Sequence, residues 1–349
     1  MAKRVISVDA GKYATKAAHY DLKTGKTTKF TFLTKASPGD FRDDALEEQT
    51  FIAEIEGTPL KIGNGAKGDG ASLITSKQSS LHRACVLFAI AAFCSENETD
   101  DVYVAVGLPA KDWAVVQKRE DFKEFLFNEG TYTVKIKMHS NDEPVVKTFC
   151  IKHRYVYPES IGALFQDDSP VVNRNTFYGI LDIGCHNLNA TVWQGTELQQ
   201  DISITDELGA ASLIQGLSQE LSAEFSRCDE RYIARLLALD PEKRFLSPNN
   251  GDKEVQKRSK EMIASYLLDH AKKIKRACDG RKWSLDYMEL IAIGGTSMIL
   301  SKELKEVFGE NLHILSCQTF ANALGFLRMM CAKDPDINKF IKFDFEDLI

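Results

Sequence analysis

The sequence predicts an α/β protein of two related domains around one shared ligand, and three observations carry that prediction. Residues 178–193, YGILDIGCHNLNATVW, read as a β-hairpin: an apolar run ends in Asp182, then come Ile183, Gly184 and a polar turn, and a second strand-like run starts at Leu188. Bulky apolar residues favour the strands, and Gly and Asn favour the tight turn between them. The N-terminus says nearly the same thing, with Val5-Ile6-Ser7-Val8 leading into Asp9, Ala10 and Gly11, a polar turn, and Lys16-Ala17-Ala18. Each hairpin is then followed by helical patterns. Two hairpins of the form apolar-Asp-x-Gly suggest a duplicated fold with the ligand in the cleft between its halves.

The chemistry of Asp-x-Gly is specific. Glycine has no Cβ, so backbone N–H groups can approach a phosphate closely. An Asp at the strand end is a poor phosphate contact but a good Mg²⁺ ligand, directly or through water. Two such loops could grip a nucleoside triphosphate from opposite sides. An Asp in an ordinary turn is the competing reading of either copy taken alone.

Composition narrows the class. The chain has 349 residues, 44% hydrophobic and 27% charged, with a net charge of −6. That is enough for two domains and a large core, with no overall basic bias toward nucleic acid. The eight cysteines are scattered without a C-x-x-C pair, which argues for reduced thiols and against a zinc or iron–sulfur site. The seven histidines show no ligand spacing. Lys3-Arg4 leads straight into a strand, so no signal peptide is expected. The longest apolar run, 84–94, is too short to span a bilayer.

In chain order, strands are expected at 5–8 and 16–20. The mixed, polar stretch 21–80, with Gly63-Asn64-Gly65 and Gly68-Asp69-Gly70, reads as a small variable subdomain. A buried helix follows at 82–95, a strand at 101–106, an amphipathic helix at 113–128, and alternating strands at 131–138 and 145–155. Pro158-Glu159-Ser160 should cap a short helix over 161–166. After the second hairpin come helices at 209–225 and 229–239, a loop at 241–251, a long helix at 254–279 and a buried strand at 288–293 ending in Gly294-Gly295. Helix and short strand follow, then a last helix at 320–333 and an acidic, aromatic tail at 340–349.

Three further constellations bear on chemistry. Glu159 stands where the first half passes into the second; a carboxylate there could orient a water for attack on a γ-phosphate, or serve only a helix dipole. Gly294-Gly295-Thr296 follows a strand and precedes a helix, a place that admits a flat base or ribose and whose amides favour phosphate, or is a plain turn. Lys272, Lys273, Lys275 and Arg276 on the long helix read as a solvated face, although one of them could stack near a base. His186 reads as a hydrogen-bonded loop histidine.

The order of these motifs resembles the actin-like ATPases, most closely the bacterial ParM-type plasmid-segregation actins, over nearly the whole chain. The phosphate-1 motif is similar to Asp9-Ala10-Gly11-Lys12-Tyr13-Ala14-Thr15-Lys16, and a subdomain IB segment to Lys61-Ile62-Gly63-Asn64-Gly65-Ala66. Gly107-Leu108-Pro109 resembles a strand end of the family. Connect-1 resembles Tyr157-Pro158-Glu159-Ser160-Ile161-Gly162, and phosphate-2 Leu181-Asp182-Ile183-Gly184-Cys185-His186-Asn187. The adenosine motif resembles Ile293-Gly294-Gly295-Thr296, and connect-2 Ala321-Asn322-Ala323-Leu324-Gly325.

The resemblance implies an actin/hexokinase-like ATPase fold: domain I over 1–165 with an insertion near 21–80, domain II over 166–325 with an insertion near 209–285, and 326–349 returning to domain I. It implies that Asp9 and Asp182 hold Mg²⁺ through water, that Lys16 pairs with β/γ-phosphate oxygens, that Glu159, with Asp182, is catalytic and positions the attacking water, and that Gly294 and Gly295 back the base and ribose. Gly11, Lys12, Tyr13, Thr15, Gly184, Asn187, Gly209 and Thr296 complete the implied nucleotide contacts. Cys185-His186-Asn187 departs from the glycine-rich turn of relatives. ATP and Mg²⁺ are the implied cofactors, with GTP as the alternative nucleotide. The implied partners are further copies of the chain in a head-to-tail filament and a DNA-binding adaptor of ParR type, so plasmid DNA is reached only indirectly. A cytoplasmic, membrane-free location is expected. A small-molecule kinase or phosphatase on the same fold is the competing function.

Overall fold

A computed structural model describes residues 2–43, 45–68, 76–128, 130–170, 173–247 and 251–340. The Gly68-Asp69-Gly70 motif, the 241–251 loop and the 340–349 tail fall wholly or partly outside them. The chain divides into two compact units, Met1–Asp167 with Phe320–Ile349, and Asp168–Thr319.

The first unit is built on the N-terminal hairpin. β1 (Lys3–Ala10) pairs antiparallel with β2 (Ala14–Tyr20), placing Asp9 opposite Lys16. β3 (Thr27–Leu33) continues the sheet beyond β2. Short strands β4 (Ala36–Pro38), β5 (Thr50–Ile55) and β6 (Thr58–Gly63) form its other end. They arise from a polar stretch without a clean period. α1 (Ser80–Phe93) is the expected buried helix, capped by Ser79, whose side chain accepts from the His82 amide. β7 (Thr99–Leu108) then lies parallel to β1.

The helix expected at 113–128 is two: α2 (Ala110–Trp113) and α3 (Val116–Leu126). The break falls at Val115, which takes extended backbone, as β-branched residues favour. The Trp113 indole, donating to the Val156 carbonyl at 2.8 Å, pins the end of α2. β8 (Thr131–Lys137) and the long β9 (Val145–Pro158) complete a nine-stranded sheet of order β3-β2-β1-β7-β9-β8-β5-β6-β4. Phe88 of α1 packs edge-on against Phe32 and tilted against Phe51, with ring centroids 5.1 and 5.2 Å apart. Each such ring contributes about 1.5–3 kcal/mol by leaving water.

The second unit repeats the plan. β10 (Phe177–Ile183) pairs antiparallel with β11 (Leu188–Gln194), with Asp182 opposite Asn189. β12 (Glu197–Leu198) and β13 (Ile204–Asp206) both pair with β11. Helices α4 (Ala210–Glu224), α5 (Glu230–Leu237) and α6 (Lys253–Asp279) follow. β14 (Met288–Ile293) runs parallel to β10, as β7 does to β1. α7 (Gly295–Ile299) and α8 (Ser301–Phe308) lead to β15 (Leu312–Ile314), parallel to β14. The duplicated topology is a hairpin whose first strand gains a parallel neighbour, and a further parallel strand beyond that.

α9 (Ala321–Lys333) belongs to the first unit and is buried along most of its length. It crosses the expected short helix, which is a 3-10 helix over Ile161–Phe165. The crossing is glycine on glycine. A Cβ at Gly162 would lie 2.7 Å from the Ala321 carbonyl oxygen, and one at Gly325 would overlap the Gly162 backbone. Gln166 Nε2 donates to the carbonyls of both Gly162 and Ala321, and Arg328 to that of Phe165. The tight turn satisfies backbone groups that a regular helix would bond internally. Below α9, buried Asp334 accepts from Tyr155 and from the Asp336 amide and is paired with His153, tying the helix end to β9.

The crossing gives a direct test. Gly325→Ala is expected to cost about 2–3 kcal/mol or more, because the clash is with backbone and no rotamer relieves it. Gly130→Ala, where a Cβ meets open space, should change stability by about 0.5 kcal/mol or less. Thermal melts of both proteins check this; equal midpoints would contradict the close crossing.

Candidate functional site

In the first unit, the hairpin turn, the end of β9 and the segment before α1 bring charged groups together. Asp9, near the end of β1, is 6% exposed. Behind it, a Cβ at Gly107 would meet the Phe326 ring at 2.7 Å and lie 3.7 Å from Asp9 Oδ1, so glycine there lets α9 close over the strand end. The Gly11 amide donates to the carbonyls of Asp9 and Ala14, which closes the turn. A Cβ on Gly11 would lie 2.9 Å from the Ala14 carbonyl and 3.3 Å from Lys16 Nζ. The Lys16 ammonium therefore stands over the turn. Lys12 is half-buried and Tyr13 exposed. Thr15 is buried, with its hydroxyl 3.0 Å from that of Thr34, which in turn donates to the Gly11 carbonyl. Thr15 thus braces the turn from within.

Glu159 directly follows β9, its amide donating to the Leu108 carbonyl at 2.8 Å. It is 9% exposed, and its carboxylate pairs with Lys77. Lys77 Nζ also lies 3.6 Å from Asp9 Oδ1. Two of the carboxylates that the motifs bring forward, Asp9 and Glu159, thus share one cation. The next residue, Ser160, has φ 75° and donates its amide to Asn322 Oδ1 at 3.0 Å. A non-glycine residue there costs about 1–2 kcal/mol. Asn322 and the close crossing below it hold that strain, which fixes the backbone beside Glu159. His82, on the first turn of α1, contacts the Ser79 hydroxyl through Nδ1 at 2.8 Å. Burial, aided by the Lys77 and Lys12 ammonium groups, pulls its imidazole down to about 4, so it is neutral at pH 7.

In the second unit, three elements converge on Gly184. The turn closes by the Gly184 amide donating to the Asn187 carbonyl at 2.9 Å. The Thr296 hydroxyl donates to the Gly184 carbonyl at 2.7 Å. The Ala210 and Ala211 amides, in the first turn of α4, donate to the Gly184 and Cys185 carbonyls. A Cβ at Gly209 would lie 2.5 Å from the Cys185 carbonyl, so only glycine lets α4 start this close to the turn. Gly294 has φ 91°, and a Cβ there would overlap the Ile183 carbonyl. Gly295 is exposed, and the Ser297 hydroxyl donates to the Gly294 carbonyl. Gly184, Asn187, Gly209, Gly294, Gly295 and Thr296 thus gather in one place, with Asp182 one strand position before Ile183.

Asp9 and Glu159 form an oxygen-donor set suited to a hard cation such as Mg²⁺, and a cation already fits between them. Lys77 is the functional candidate that the sequence does not betray. It follows a polar stretch, with no motif spacing to single it out.

Residues 7–162 match the family model of the actin like proteins N terminal domain. The Alp12 filament structure superposes with a TM-score of 0.71 at 19% identity, covering 95% of this chain and 99% of that one. The chain has the actin-like fold. A 15-stranded ParM filament from Clostridium botulinum matches this actin-like chain with a TM-score of 0.70 at 18% identity, over 95% of this chain and 99% of that one. An archaeal actin homolog in complex with ADP matches with a TM-score of 0.69 at 18% identity, over 94% and 98%. No curated protein sequence matches. The resemblance read from the motif order therefore holds at the level of fold. Among the described residues of the actin-like chain, no helix is long and apolar enough to cross a membrane.

Proposed function

We propose that this actin-like chain is a Mg²⁺-dependent ATPase that polymerises into dynamic, head-to-tail filaments. The observation that carries the reading is the buried Asp9–Glu159 pair, two carboxylates that share one cation at the ends of parallel strands. Asp9 and Asp182 hold the metal through water, and Lys16 draws the β/γ-phosphate oxygens over the Gly11 turn. Glu159 orients the attacking water, a role that needs a fixed carboxylate and gains from the strained, anchored Ser160 behind it. Gly294, Gly295 and Thr296 back the nucleoside, and Gly184, Gly209 and Asn187 shape the second phosphate turn.

The filament structures of Alp12 and of the Clostridium botulinum ParM support assembly, and the ADP complex of the archaeal homolog supports nucleotide binding. In the finer reading, the filaments segregate plasmid DNA in the cytoplasm through a ParR-type adaptor. Assembly should require ATP or GTP and show a critical concentration, because a head-to-tail contact that does not close on itself generates open filaments. Light scattering and sedimentation against protein concentration check this. A chain that stays monomeric with ATP, GTP and their non-hydrolysable analogues would remove the filament reading.

A further inference from the structure

We propose that Lys77 is the resident cation of the Asp9–Glu159 pair, that a divalent ion held by Asp9 must displace it, and that it thereby sets the chain's affinity for that ion. The proposal rests on the nucleotide reading above and adds a residue that none of the phosphate or connecting motifs contains.

The geometry is one of exchange. The side chains of Lys77, Asp9 and Glu159 are only 9%, 8% and 12% exposed, and Nζ contacts an oxygen of each carboxylate. Asp9 has Lys16 opposite it in the hairpin register, yet its ion-pair partner among the described residues is Lys77. Lys16 is thus left at the turn, over Gly11. Two buried carboxylates without a counter-charge are strongly unfavourable, and Lys77 supplies that charge in this structure. A divalent ion satisfies carboxylate oxygens better than an ammonium does, because it takes several oxygen ligands at once. The two cations cannot share the position, since their repulsion acts at close range in a site largely shielded from water. Entry of the metal therefore expels Lys77. Lys77 lies two residues before Ser79, the cap of α1. His82, held on Ser79 and neutral, offers no competing positive charge.

The test uses the full chain without nucleotide, with Mn²⁺ as the probe and free Mn²⁺ measured by electron paramagnetic resonance. Lys77→Met should bind one Mn²⁺ about tenfold or more tighter than wild type, because the competing charge is gone. Lys77→Arg, which keeps the charge, should stay near wild type. Lys77→Met combined with Asp9→Asn should lose the gain. Melting of Lys77→Met should rise with Mn²⁺ far more than melting of wild type. Equal Mn²⁺ affinity in folded wild type and Lys77→Met overturns the proposal. So does a Lys77→Met chain that is unfolded and that millimolar Mn²⁺ does not refold. Binding of a fluorescent ATP analogue to wild type is a separate arm: failure there sinks the nucleotide reading and leaves the cation exchange to stand or fall on Mn²⁺ alone.

Discussion

Glu159→Ala is expected to bind ATP and to polymerise while its phosphate release falls by about two orders of magnitude or more, the range of a lost general base. A residue that only orients water matters little in the ground state and much in the transition state. Filaments of the variant should outlast wild-type filaments, because their subunits stay in the triphosphate state. The structure adds a control. Lys77 loses the Glu159 carboxylate but keeps Asp9, so the chain should still fold. Glu159→Gln, which keeps the shape and removes the charge, should behave like Glu159→Ala in phosphate release. Normal release with a slightly lowered melting point would leave Glu159 a structural residue, the partner of Lys77 and nothing more. Release and filament lifetime must be measured on the same preparation.

Asp9→Ala and Asp182→Ala should each abolish Mg²⁺-nucleotide binding or lower hydrolysis by about three orders of magnitude, since a metal contributes several kcal/mol of charge stabilisation to phosphoryl transfer. Asp9 is buried and paired with Lys77, so its loss also disturbs the chain without nucleotide. Wild-type turnover in both variants would falsify the assignment of the two Asp-x-Gly turns to the metal.

The hairpins were legible because their signal is local. An apolar run, an Asp and a Gly constrain strand and turn within a dozen residues, and their repetition points to a duplicated fold. The glycines at 209 and 294 were legible as positions, but their reason is tertiary: each lets one element start against the carbonyls of another. The short helix after Ser160 was legible from Pro158 and Glu159, but not its 3-10 form, beside which Gly325, far along the chain, packs against Gly162. Strands β3–β6 were not called, because short strands in a polar stretch take their stability from sheet neighbours and not from their own pattern. Lys77 was invisible for the same reason. Nothing in Ser76-Lys77-Gln78 states that an ammonium will end between two carboxylates.

The turn after Asp182 is held by main-chain bonds from α4 and by the Thr296 hydroxyl, all of which end on the carbonyls of Gly184 and Cys185. These bonds hold the backbone of the turn from outside it. Gly209 and Gly294, which carry no functional group at all, are the positions where any added carbon deforms the frame, so the course of the loop is set by the residues with the least chemistry to offer.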